Sequence, residues 1–177
     1  MKTFSLFLAF LLCFALSCAN NTTVNKKEGI YGKVVGIADG DTFTLLTDEK
    51  KQVKVRLHGI DCPERAQDFG QVARQKLSDL VFNQQVRVVE KDVDRYQRTV
   101  GVVYTSDDVC VNEELLRAGL AWHYSEYDKN PEWAALEQEA RQKRIGLWSH
   151  PKPVRPSEYR KSKRKPKAKK AEEAEVE

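Results

Sequence analysis

Carboxylates and guanidiniums gather in this chain at the ends of strand-like runs, where a strand that only builds a core has no use for them. Asp39 and Asp41 flank a glycine between two alternating runs, and Arg56, Asp61 and Glu64 fall where a third run ends in VRLHGIDCPE. Arg95 and Arg98 stand in a turn, DVDRYQR, before another run. Aspartates without a His or Cys cluster are hard oxygen donors, which suit Ca²⁺ or Mg²⁺ better than Zn²⁺. His58, His123 and His150 have no zinc spacing. Two aspartates and a backbone carbonyl underfill the shell of Ca²⁺, so water and a substrate oxygen would complete it, as at an open, catalytic site. Arginines beside such a cation point to phosphate, because the guanidinium fork matches two phosphate oxygens and keeps its charge at working pH. Cation and arginines together clamp the charge that grows on a phosphodiester under attack. Glu64 is then placed to orient or deprotonate the attacking water.

These residues meet only if several turns converge. Alternation and β-branched residues between the turn signals at 38–41 and 48–51 predict antiparallel strands over 30–37, 42–47 and 52–60. In the third, Val53, Val55 and Leu57 share one face and Lys54, Arg56 and His58 the other. The period then changes: Phe69, Val72, Ala73, Leu77, Leu80 and Val81 carry the three-four spacing of a helix from about 68 to Phe82. Two more strands follow at 86–91 and 99–105, then a short helix stopped by Gly119. A last helix has Asn130 as its N-cap, Pro131 at its first position and Gly146 as its stop. Trp133 and Trp148 are most simply core residues. The fold class is α+β, mainly β: a five-stranded closed barrel with about three helices.

The ends read differently. One basic residue, Lys2, precedes an apolar run from Phe4 to Leu16 that is too short to span a membrane, so residues 1–17 have the pattern of an export signal. Cys18 has two readings: a lipidated cysteine that anchors the chain to the cell envelope, or a bystander to ordinary cleavage after Ser17 or Ala19 that leaves a secreted protein. A polar linker, 18–28, leads to a domain over 29–148, and a tail over 149–177, with its prolines, basic run and acidic end, is expected to be disordered. The net charge of +4, with 30 Lys and Arg against 26 Asp and Glu, suits one modest domain. Cys62 and Cys110, the cysteines left in the domain, either pair or stay as separate thiols.

ADGDT, VRLHGIDCPE, DRYQR and VNEELLRAGLAW, in this order, resemble the motifs of the staphylococcal (micrococcal) nuclease family, over about Gly29 to Trp148. The resemblance implies an OB-fold enzyme that hydrolyses DNA and RNA with Ca²⁺, breaking the 5′-side P–O bond and leaving 3′-phosphates. It implies Asp41, Asp61 and the Cys62 carbonyl as metal ligands, Glu64 as general base, and Arg56 and Arg98 as holders of the scissile phosphate. It also implies that Asp39 supports the turn that aims Asp41, and that Thr42 meets the metal through water. This chain departs from the pattern at Cys62, where the family enzyme has threonine, at Arg95, where it has lysine, and in a shorter loop after Glu64.

Each feature also has a plainer reading. Asp39-Gly-Asp41 is a good hairpin turn for backbone reasons alone, Arg56 and Glu64 can form a surface ion pair, and Arg95 and Arg98 can be solvated. Tyr96, Tyr124 and Tyr127 can stack on bases or meet a phosphate, or simply pack at a rim. His58 reads as a solvated or hydrogen-bonded residue. A monomer is expected, with DNA and RNA as partners and a membrane reached only through a lipid on Cys18. The rival reading is a non-catalytic OB-fold module that binds single strands.

Overall fold

The computed structural model describes residues 27–164, so the leader, Cys18 and most of the linker, together with the end of the tail, lie outside the described residues. Strands β1 (Ile30–Ile37), β2 (Thr42–Thr47) and β3 (Gln52–Leu57) form an antiparallel meander. After β4 (Ile60–Asp61) and helix α1 (Gly70–Val81) come β5 (Gln85–Val93) and β6 (Thr99–Thr105). The five long strands close a barrel in the order β1-β2-β3-β6-β5, with β3 and β6 parallel. This is the barrel of an OB-fold.

Alternation sets the core. Val34, Phe43, Leu45, Val55, Val88 and Val103 point inward and are wholly buried. Helix α1 adds Ala73, Leu77 and Val81 from one stripe, as the spacing predicts. Helix α2 (Val111–Arg117) contributes Val111, Leu115 and Leu116, and helix α3 (Pro131–Gln142) contributes Trp133 and Ala140. Asn130 caps α3 as expected, its side chain accepting the Glu132 N–H at 2.9 Å.

Two expectations change. The third strand stops at Leu57 rather than 60, because Gly59 takes φ +67° against Asp128 and Trp133, where a Cβ would have no room. The chain turns there, and β4 pairs instead with β7 (Trp122–His123). The tail is not disordered from 149: a 3-10 turn covers Gly146–Ser149, and a fourth helix, α4 (Pro156–Arg164), follows. Pro156, read in the sequence as a sign of disorder, is the first residue of that helix and is buried, since proline suits the first helical turn.

The segment between β4 and α1 is held tightly. Gly70 is pressed against it so closely that a Cβ there would lie 1.9 Å from the Glu64 carbonyl oxygen. Phe69 enters α1 at φ +63°, a strained value for its type, and packs against both hydrophobic clusters. Gly70→Ala must displace the Glu64 backbone, and a stability loss of about 1–3 kcal/mol or more is expected in denaturant unfolding; an unchanged midpoint would show that the loop has slack.

Candidate active site

Strand register brings the charged residues together. Arg56 on β3 pairs with Thr42 on one side and with Val100 on the other, so the Asp41 turn and the Arg98 turn flank it at one rim of the barrel. The Leu57 N–H donates to the Asp41 carbonyl at 2.9 Å and the His58 N–H to the Gly101 carbonyl at 2.8 Å, locking that register. Gly40 serves close packing: a Cβ there would sit 2.7 Å from the Ala73 Cβ and 2.8 Å from the Cys62 Cβ. The Asp39-Gly-Asp41 turn can therefore lie directly on α1 and the Cys62 loop.

Arg56 joins the two aspartates. Its guanidinium is ion-paired with Asp41 and donates to Asp61 Oδ1 at 2.8 Å, and both carboxylates have only 7 % of their side-chain surface exposed. Asp41 also accepts the Cys62 N–H at 2.9 Å and the Thr42 hydroxyl at 3.1 Å. Burial works to raise the Asp41 carboxyl, but Arg56, the Cys62 N–H and a hydrogen bond with Asp39 outweigh it and hold the group below its usual range. Asp61 has fewer donors: burial raises it, and the Asp41 charge opposes the help from Arg56 and Arg160, leaving it above the usual range. Burial and the neighbouring Asp41 push Asp39 up to about 6.

The remaining expected residues line the same cavity of about 920 Å³, including Glu64, Arg98, Arg95 and the three tyrosines. Asp61 joins it through Arg56 and Arg160. Tyr96 and Tyr127 are 61 % and 70 % exposed, so neither is a core residue. The guanidinium carbons of Arg95 and Arg98 lie 5.0 and 5.4 Å from the Tyr96 ring centroid, and Tyr124 and Tyr127 stack edge to face at 4.7 Å. Glu64 is fixed at its backbone, where its N–H donates to the Gln67 side chain at 3.1 Å.

Cys62 and Cys110 are free thiols. Cys110 bridges to Tyr104, at the end of β6 away from Thr99, while the Cys62 thiol donates to the Gly40 carbonyl at 3.2 Å. Burial and the nearby Asp41 hold the Cys62 thiol well above its ordinary pKa, so it stays protonated. His58 belongs to the plainer reading. Asp128 lies 3.3 Å from His58 Nε2 and is hydrogen-bonded to His123 Nε2 at 3.1 Å, and so ties the end of β3 to β7.

Sequence reasoning missed two residues. Asp94 accepts from Arg98 Nε and Nη2, both at 2.7 Å, and from the Tyr96 and Arg98 backbone N–H groups at 2.8 and 3.0 Å. It aims that arginine, and its signal was the four-residue spacing within one turn. Arg160 on α4 donates to Glu64 Oε1 at 2.5 Å and to Asp61 Oδ2 at 3.2 Å. No local pattern announces that pairing, which spans 96 residues of chain to Glu64.

Charge bears on which cation would fit. The carboxylates of Asp39, Asp41, Asp61 and Glu64 face the guanidiniums of Arg56 and Arg160, while Arg98 is committed to Asp94. Around Arg56 the acids thus outnumber the bases, while Lys91, Arg95, Lys161 and Arg164 bring positive charge to the same cavity. Among the described residues no three His, Cys, Asp or Glu side chains are arranged to hold a metal unaided. A cation here would take Asp41, Asp61 and the Cys62 carbonyl, and fill its shell with water and substrate oxygen.

A model of the staphylococcal nuclease homologue family matches residues 54–150, more than half of the chain. The chain belongs to that family. It is 42 % identical over 156 residues to a Haemophilus influenzae protein called an uncharacterized endonuclease, covering 88 % of this chain and 82 % of that one. It is 43 % identical over 141 residues to a Shigella flexneri protein called micrococcal nuclease, covering 74 % and 80 %. A protein called ParB in Escherichia coli is 46 % identical over 139 residues, covering 73 % and 78 %. The family match begins just before Arg56 and ends beyond the 3-10 turn, so Asp39, Asp41 and α4 lie outside it.

Removing the central guanidinium should be costly. Arg56→Gln leaves two buried carboxylates without their main counter-charge, which raises their folded-state pKa above the unfolded value near 3.9. The folded state then keeps protons that the unfolded state releases, so stability is present below about pH 4 and lost as pH rises. A deficit of about 3–5 kcal/mol is expected at pH 7, shrinking toward pH 4, in denaturant titrations with chelator; a deficit independent of pH would remove the carboxylates from the explanation.

Proposed function

We propose that this protein, a nuclease by family, hydrolyses the phosphodiester bonds of DNA and RNA with Ca²⁺ and little sequence preference. The observation that carries this reading is the meeting of Asp41, Arg56, Asp61, Glu64 and Arg98 at one barrel rim.

Ca²⁺ held by Asp41, Asp61 and the Cys62 carbonyl would supply positive charge against the oxygens of the phosphate and gather a water beside it. Glu64 accepts a proton from the attacking water. Arg56 and Arg98 hold the equatorial oxygens as their charge grows, and Asp94 keeps Arg98 aimed. Attack breaks the 5′-side P–O bond, and the phosphate stays on the 3′ oxygen. Arg160 holds only Oε1, so Oε2 is the oxygen of Glu64 left to take that proton. Low sequence preference follows from contacts that meet phosphate and base faces rather than base edges. The tyrosines on the rim favour unpaired strands, whose bases are free to stack.

Export is part of the proposal and rests on Lys2 and the apolar run that follows it. No described helix is long and apolar enough to cross a membrane, and a lipid on Cys18 would be the membrane link. The protein is proposed to act as a monomer.

Cleavage of single-stranded DNA with Ca²⁺, with Mg²⁺ and with chelator, beside Glu64→Gln, tests the reading. Cutting that requires Ca²⁺ and falls about 10²–10⁴-fold in the variant is expected. Binding without cutting in every condition would make the domain a single-strand-binding module instead.

A further inference from the structure

Helix α4 presents a face to the cavity that the catalytic reading does not use. Ser157, Arg160, Lys161 and Arg164 line that cavity, and their spacing of three, four and seven is one stripe of a helix. The stripe carries three cations and no acid. Arg160 is committed to Asp61 and Glu64, whereas the side chains of Lys161 and Arg164 have no ion pair or hydrogen bond among the described residues, and both are exposed.

The helix is nonetheless seated. Pro156 is buried, the Tyr159 hydroxyl donates to the Ala66 carbonyl at 3.1 Å, and the Gln67 amide donates to the Val154 carbonyl at 2.6 Å. The Arg155 guanidinium carbon lies 4.5 Å from the Trp122 ring centroid. Both hydrogen bonds reach the loop that carries Glu64, so α4 and the general base are positioned by the same segment. Lys163, on the same helix, lies over the Tyr159 ring at 5.3 Å and does not line the cavity.

We propose that α4 is a second substrate-binding wall, whose cationic stripe holds the phosphates of a nucleic-acid strand flanking the scissile bond. This rests on the nuclease reading and deepens it. A single phosphate is already served by Arg56 and Arg98, so unpaired cations in the same cavity call for a ligand with repeated charges. Arg160 and Arg164 are about 6 Å apart along the helix axis, so the stripe presents separated charges along one direction, as a strand's backbone does. Tyr96 and Tyr127 offer exposed rings in that cavity for the bases. The strand thus has cations for its backbone and aromatic faces for its bases. Helix α4 lies beyond the region matched by the family model.

The test is the salt dependence of binding of the full chain to a single-stranded oligothymidylate in chelator, between about 50 and 200 mM salt. The double variant Lys161→Gln/Arg164→Gln is compared with Lys163→Gln, which removes a charge from the same helix but not from the stripe. The double variant is expected to lower the slope of log K against log salt by about 1.4, at about 0.7 for each lost phosphate contact, with Lys163→Gln at the wild-type slope. Equal slopes in the wild type and the double variant, in a wild type that cuts single strands, would overturn the role of α4 and leave the nuclease reading standing. The same drop in Lys163→Gln would also overturn it, by showing an effect of net charge alone. A wild type that neither binds nor cuts would overturn both.

Discussion

Arg56 is a guanidinium held between two carboxylates that are almost completely out of water. Moving such groups from water costs several kcal/mol each, and their attraction repays that cost only with good geometry and further hydrogen bonds. Asp41 has those bonds from Cys62 and Thr42; Asp61 has only guanidiniums. The difference explains why burial leaves one carboxyl below its usual range and the other above it. A cluster this charged adds little to a fold that already closes on Phe43, Leu45, Leu57 and Leu77. Its position, at a rim where β2, β3 and β6 meet, is that of a site built on a rigid scaffold.

The scaffold supplies precision from both sides. Strand pairing fixes Arg56 relative to Asp41 and Val100 within the pleat, and loops add the groups that must approach a substrate. Those loops are constrained: Gly40 lets the aspartate turn rest on α1, Gly70 pins the Glu64 backbone, and Asp94 closes the turn that aims Arg98. The groups that would reach outward, Tyr96, Tyr127, Lys161 and Arg164, are exposed. Burial is thus greatest where a phosphate would react and least where a strand would pass.

Much of this was legible in the sequence because it is written in local patterns. Period-two alternation located the barrel strands, three-four spacing located α1, and Asn130-Pro131 marked the start of α3. The charged residues at strand ends, compared with family motifs, named the rim. What escaped depends on tertiary placement. Gly59 ends β3 because Asp128 and Trp133 crowd it, and neither is near in sequence. Helix α4 has a low apolar content, two prolines before it and a third at its first position; it is ordered by anchors on the Glu64 loop and on Trp122 that its own composition does not reveal. Arg160 was hidden for the same reason, and the free thiols of Cys62 and Cys110 likewise follow from where the fold puts them rather than from their spacing in the chain.

The most direct measurement asks whether the buried charges serve chemistry or the fold. Asp41→Asn keeps the acceptor for the Cys62 N–H, while Arg56→Met and Asp61→Leu replace the rest of the pair with apolar volume. Unfolding free energy and single-strand cleavage would be measured on this triple variant, the first in chelator. If the cluster serves phosphodiester hydrolysis, stability stays within about 1 kcal/mol of the wild type or rises above it, and cleavage is abolished. A loss of several kcal/mol would instead make the Arg56 cluster a structural element, and contradict its reading as an active site maintained at the expense of the fold.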